Sequence, residues 1–95
     1  MNGTADDAVE LPIDGELDLH AFRPAEVKDL VPDYLALCRA KEILRVRIVH
    51  GKGTGTLRET VHRLLARLDY VREFGLGDER SGGWGATVVH LRPPT

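Results

Sequence analysis

Ninety-five residues suffice for one domain with a modest two-layer core and not for two independent ones. A hydrophobic fraction of 42% beside a charged fraction of 29% describes a globular chain; no apolar run approaches the ~20 residues that span a bilayer, so no membrane partner is expected. The N-terminus lacks the basic and apolar regions of a signal peptide. A single cysteine, Cys38, excludes an internal disulfide and a Cys-based zinc site, so the expected compartment is the cytoplasm. The net charge of −2 argues mildly against nucleic acid, but Arg23 to Arg67 holds ten Lys/Arg and five Asp/Glu, a local +5 that can form a basic patch or merely solvate helix surfaces.

Met1 to Ala8 is polar and aperiodic and is expected to be a disordered tail, with the domain from residue 9 to 95. Val9 to Ile13 can form a short edge strand, because Pro12 removes one ladder donor. After the Asp14-Gly15 turn, Glu16 to His20 alternates as a strand, with Leu17 and Leu19 on one face and Asp18 and His20 on the other. Pro24 suits the first turn of a helix reaching about Lys41, whose apolar face carries Val27, Leu30, Val31, Tyr34, Leu35 and Cys38. Pro32 interrupts that helix but leaves the apolar stripe in phase, which predicts one kinked helix. Arg45 to Val49 reads as a buried strand. The turn His50-Gly51-Lys52-Gly53-Thr54-Gly55 follows it.

Thr56 and Glu59 have the spacing of a capping box, so a second helix is expected from Thr56 to Leu68, burying Leu57, Val61, Leu64, Leu65 and Leu68. Tyr70 to Leu76 and Ala86 to Arg92 read as strands flanking a polar loop from Gly77 to Gly83, and Pro93-Pro94 stops the last. The order strand, helix, strand, helix, strand, strand implies an α/β two-layer sandwich, a mixed four-stranded sheet with both helices on one face. A right-handed crossover makes the first two strands parallel, so His20 and His50 end on the same carboxyl edge, where ligands of open α/β sheets bind.

A strand, a glycine turn and a helix N-terminus together present backbone N–H groups and a positive dipole end, an arrangement that binds phosphate. Lys52 adds a cation within the turn, and His50 stands at its entrance. Each residue also has a plainer reading. Asp18 and His20 can be the solvated half of an alternating strand, His50 can pack or cap, and Lys52 can be an ordinary exposed lysine. The turn lacks Walker A spacing, and the chain is too short for a dinucleotide fold. His62, beside Val61, is expected at the surface; His90 has no assigned role; Cys38 packs in the core. Trp84 can stack on an unpaired base or plug the core, with the core preferred.

Leu17-Asp18-Leu19-His20, His50-Gly51-Lys52-Gly53-Thr54-Gly55 and Gly82-Gly83-Trp84-Gly85-Ala86-Thr87 together resemble the three signatures of the Smr (small MutS-related) domain, over about Val9 to Arg92. The resemblance implies a compact α/β sandwich similar to the C-terminal domain of a translation initiation factor. It also implies binding to DNA or RNA, nicking or endonuclease activity in several members, and ribosome-associated roles in others. Carried over by position, it places Asp18 and His20 in a cleavage site. His50, Gly51, Lys52 and Gly53 then fall at nucleic-acid binding and catalysis, with Gly83, Gly85 and Thr87 near the same rim. Family members usually have glycine after the first motif's histidine, where this chain has Ala21; if that position needs φ > 0, alanine shifts the turn.

The leading expectation is therefore an endonuclease or nickase of DNA or structured RNA. The turn, Thr54 and Gly55 included, would hold phosphate while Lys52 offsets charge, and His20 or His50 would act as acid or base. Asp18 would orient His20, or the two would hold Mg²⁺ or Mn²⁺ loosely with phosphate oxygens. Without a metal, the two histidines would form an acid–base pair acting on the RNA 2′-OH. A non-catalytic module binding nucleic acid or the ribosome is the alternative, and a small phosphate-ligand protein the third. Oligomeric state is left open.

Overall fold

The structure, a computed structural model, describes residues 12–51, 53, 55–77 and 85–94. The expected tail at Met1–Ala8 lies outside them, as do Val9–Leu11 of the expected edge strand; Pro12 and Ile13 carry no strand. Four strands and two helices follow in the order β1 (Glu16–Asp18), α1 (Pro24–Ala40), β2 (Arg45–Val49), α2 (Thr56–Ala66), β3 (Val71–Leu76) and β4 (Ala86–Leu91). The sheet order is β1-β2-β4-β3, with β1 and β2 parallel and the other two pairs antiparallel. The fold is the expected mixed sheet with two helices.

Register explains the core. Leu17 pairs with Ile48, Ile48 with Thr87, and Thr87 with Leu76, so one row of side chains crosses the sheet on a single face. Leu17, Ile48 and Thr87 in that row are fully buried, and Val46 and Val89 form the next buried pair. Against them pack Val27, Val31, Tyr34, Leu35 and Cys38 from α1, and Val61 and Leu65 from α2. Leu57, Leu64 and Leu68 are only partly buried at the edge of this cluster. Pro24 opens α1 as expected, and the helix continues through Pro32. The Pro32 carbonyl accepts the Tyr70 hydroxyl at 3.1 Å, tying α1 to the start of β3. Among the described residues no helix is long and apolar enough to cross a membrane.

The end of β1 and the cap of α2 differ from expectation, each for a local reason, while α2 starts at Thr56 as expected and ends at Ala66 rather than Leu68. The first strand stops at Asp18 rather than His20, and Leu19–Ala21 form a 3₁₀ turn. Asp18 Oδ1 accepts the backbone N–H of His20 at 2.9 Å, an alternative to the sheet ladder that short polar side chains offer. The capping box at Thr56 does not form. Gly55 is the N-cap, at φ +89°, and its carbonyl accepts the first helical bond from Glu59 N at 2.9 Å. A left-handed cap without a side chain admits only glycine cheaply; the cap sits one residue before Thr56, where the helix itself starts.

Candidate functional site

Because β1 and β2 run parallel, their C-terminal ends meet at one edge, and two loops emerge side by side. On the first, Asp18 Oδ1 accepts both the His20 backbone N–H and His20 Nδ1–H, each at 2.9 Å. These bonds hold the Asp18 carboxyl below the usual carboxylate range, the backbone donor contributing most. Both side chains stay open to solvent, 63% exposed for His20 and 60% for Asp18. With Nδ1 engaged, the remaining nitrogen Nε2 faces the second loop. A Cβ built on Gly51, at φ +82°, would fall 2.8 Å from it. The two motifs therefore touch at His20 and Gly51.

The second loop is pinned from behind. His50 N and Gly51 N both donate to the Gly85 carbonyl at 2.9 Å, so Gly85 acts as a clamp through its backbone. His50 is not free at the entrance. It is 5% exposed, Nδ1 donates to the Gly51 carbonyl at 3.0 Å, and Nε2 lies 2.8 Å from Thr87 Oγ1. Thr87, expected near a bound ligand, is fully buried, and its hydroxyl holds imidazoles instead of facing solvent. The second imidazole belongs to His62, which is half-buried rather than at the surface: its Nε2 lies 2.7 Å from the same Oγ1. His62 packs edge-on to His50 at 6.2 Å and against Phe74 at 5.1 Å between ring centres.

In front of the loop lies a cleft of about 290 Å³, lined by His50, Gly51, Gly53, Gly55, Arg58 and the first turn of α2. Arg58 was not singled out by the sequence. Its Nη2 would sit 2.8 Å from a Cβ at Gly55, so its guanidinium folds back over the bare N-cap. That places a cation beside the positive end of a helix, a repulsive arrangement that an anion would relieve. Gly53 is exposed at φ +27°, with nothing within 4 Å of its missing Cβ. Of the expected site residues, His50, Gly51, Gly53 and Gly55 line this cleft. His20, with Asp18 bonded to it, adjoins the lining at Gly51 without being part of it, and Lys52, Thr54 and Gly83 lie outside the described residues, as does Trp84.

The family model for the Smr domain matches residues 17–92, the span holding all of these groups. The chain belongs to the Smr domain family. The crystal structure of the Smr domain of Thermus thermophilus MutS2 superposes with a TM-score of 0.78 at 39% identity, covering 84% of this chain and all of that one. YdaL, a stand-alone small MutS-related protein from Escherichia coli, superposes equally at 0.78 with 27% identity, over 90% of this chain and 70% of the other. In sequence, endonuclease MutS2 of Pelotomaculum thermopropionicum is 42% identical over 79 residues, 83% of this chain. The Smr domain spans about 10% of the length of that protein.

Two properties of this Smr domain follow from the geometry. First, the position after the motif histidine does not need glycine here: Glu42 is the only non-glycine at positive φ among the described residues, so Ala21 sits in an ordinary conformation and does not displace His20. Second, Asp18 and His20 supply two ligands for Mg²⁺ or Mn²⁺, so an ion held there would draw its remaining ligands from water and substrate phosphate. No group of three or more His, Cys, Asp or Glu side chains converges among the described residues. Asp18 Oδ1, moreover, is already engaged twice by His20. The pair fits an oriented imidazole better than a resident ion.

Burial pushes the pKa of both His50 and His62 below 6.5, with the Arg58 charge adding to the effect. Both rings are therefore neutral in the fold at pH 7. Since the folded values are the lower ones, the unfolded chain binds protons first as the pH falls. Their stabilisation is complete above about pH 6.5 and is lost as the pH drops through the folded pKa values. A series of thermal melts from pH 7.5 downward is expected to show Tm falling once below that value. His62→Gln, which removes one titrating ring, should fall less steeply; equal slopes would refute the assignment.

Proposed function

We propose that this Smr domain binds nucleic acid by its phosphate backbone and cuts phosphodiester bonds, with His20 as the acid–base residue. The observation that carries the reading is His20 Nε2 lying against Gly51, at a rim formed by the glycine turn and Arg58. With Nδ1–H committed to Asp18, a neutral His20 presents the Nε2 lone pair, the form in which imidazole takes a proton. On RNA that proton comes from the 2′-OH as its oxygen attacks the neighbouring phosphorus; the P–O5′ bond breaks, a 2′,3′-cyclic phosphate is left, and the departing 5′ oxygen takes a proton back from the imidazolium. On DNA it comes from an attacking water, and the displaced sugar oxygen is protonated in the same way. The helix α2 N-terminus and Arg58 stabilise the charge that builds on the phosphoryl oxygens. Asp18 keeps the ring in the correct tautomer and offsets the positive charge it acquires. The likeness to part of proteins named endonuclease MutS2 supports the same reading.

The test is incubation of the purified chain with supercoiled plasmid and with structured RNA, with Mg²⁺, Mn²⁺ or EDTA. Cleavage lost with His20→Ala supports the proposal. Cleavage of RNA alone in EDTA, leaving cyclic phosphate ends, assigns the 2′-OH route. If only divalent ions restore activity, the ion arrives with the substrate phosphates. Salt-sensitive binding without cleavage under every condition would replace the proposal with a binding module for structured nucleic acid or the ribosome.

Arg58 gives a separate expectation. Each phosphate contact contributes about one unit to the slope of log affinity against log salt, so Arg58→Ala should weaken binding to all sequences alike and flatten that slope by roughly one. An unchanged slope, measured by fluorescence anisotropy across a salt series, would remove Arg58 from the interface.

A further inference from the structure

The chain of contacts from His62 through Thr87 to His50 ends on the glycine turn, and counting hydrogens fixes its direction. The Gly51 carbonyl can only accept, so His50 Nδ1 carries a proton. A neutral ring has one N–H; His50 Nε2 is therefore bare, and the Thr87 hydroxyl donates its single proton to it. Thr87 Oγ1 is then left as an acceptor, and His62 Nε2 must supply the N–H. Every polar atom from His62 Nε2 through Thr87 Oγ1 and His50 to the Gly51 carbonyl has a partner in this arrangement. Burial, which disfavours the charged form of both rings, supports the neutral count. The groups facing them are Arg58 and His20 at His50, and Arg58 and the apolar Phe74 ring at His62.

We infer that His62 is a positioning residue for the nucleic-acid site: through Thr87 it holds His50 in the tautomer that locks the Gly51 carbonyl, and so fixes the turn against which His20 rests. His62 does not line the cleft; its polar link to the turn runs through Thr87, beside its edge-on packing against the His50 ring. The donated bond fills a lone pair on Thr87 and polarises the hydroxyl toward His50; consecutive hydrogen bonds of this kind strengthen one another in a dry interior. The inference rests on the turn being the phosphate site, but the hydrogen-bond chain can be tested without nucleic acid.

Long-range nitrogen–proton NMR of the full chain at pH 7.5 should show His50 as the Nδ1–H tautomer and His62 as Nε2–H. Either ring in the opposite form overturns the inference. His62→Leu, which fills the space without a donor, should speed exchange of the His50 and Gly51 amides that bond Gly85 and weaken oligonucleotide binding about five-fold, the worth of one ordinary hydrogen bond. His62→Gln, which keeps an amide donor near Nε2, should restore both. In a Thr87→Val background, His62→Leu should add almost nothing; additive losses would show that His62 acts by another route. If the wild-type chain binds no nucleic acid at all, the proposed function fails, while tautomers and amide exchange still decide this one.

Discussion

Alanine at position 20 is expected to reduce strand cleavage by about 10²–10⁴-fold, the usual contribution of a positioned acid–base group, and to leave the fold untouched. The His20 side chain is 63% exposed, and it hydrogen-bonds through Nδ1 to Asp18, itself exposed. The bond that caps the 3₁₀ turn comes from the His20 backbone, which alanine retains. Stability should therefore move by no more than about 0.5 kcal/mol, as at an ordinary surface position. Affinity should hold within about two-fold, because phosphate binding is assigned to the turn, the α2 N-terminus and Arg58. Asp18→Asn separates the two carboxylate roles. Asparagine keeps an oxygen for the backbone cap but removes the charge that favours the imidazolium, so cleavage should fall by less than with His20→Ala while Tm stays near wild type. Nicked-circle formation, anisotropy and thermal melts on the same preparations supply all three readings. A His20→Ala protein that cleaves within three-fold of wild type ends the assignment, and one that loses affinity and cleavage together makes His20 a ligand contact instead.

The helices and strands were legible because they depend on patterns that sequence carries directly. Arg45–Val49 was placed residue for residue by its branched, alternating run, and Pro24 marked the start of α1. The failures lie where a side chain or a left-handed backbone competes with the pattern, as Asp18 does at the end of β1 and Gly55 does in taking the cap expected of Thr56. His50 is instructive. Val46 and Ile48 are buried, so period-two alternation carries position 50 to the same face, and the burial of His50 was available from that parity. Thr87 carried another signal, a hydroxyl in an apolar strand, which must find a buried partner. What could not be read was the identity of that partner. His62 on α2 meets Thr87 on β4 across a tertiary contact between residues 25 apart in sequence, which no local pattern announces. Arg58 escaped for a similar reason: its guanidinium has room over the cap only because Gly55 sits at φ +89° with no Cβ.

Gly51→Ala puts the contact between the two motifs to the sharpest test. Two costs arise, and they are separable. Alanine at φ +82° costs about 1–2 kcal/mol in backbone strain whatever surrounds it. The new Cβ also arrives 2.8 Å from His20 Nε2, closer than such contacts allow. His20 is exposed and meets Gly51 at the far end of its ring, so the imidazole can swing away and the protein should still fold. Tm is expected to drop by roughly 4–15 °C, given about 4–8 °C per kcal/mol in a domain this small. Cleavage should nevertheless fall nearly as far as with His20→Ala, because the displaced ring no longer faces the rim. Gly53→Ala is the control: at φ +27° it carries backbone strain, but no atom lies within 4 Å of the new Cβ, so Tm should fall while cleavage survives. In the double variant His20→Ala/Gly51→Ala the clash disappears and only the strain remains. Its Tm should then be no lower than that of Gly51→Ala, and its cleavage no lower than that of His20→Ala. A Gly51→Ala enzyme with wild-type cleavage would mean that the ring and the turn do not work as one site, whatever their distance.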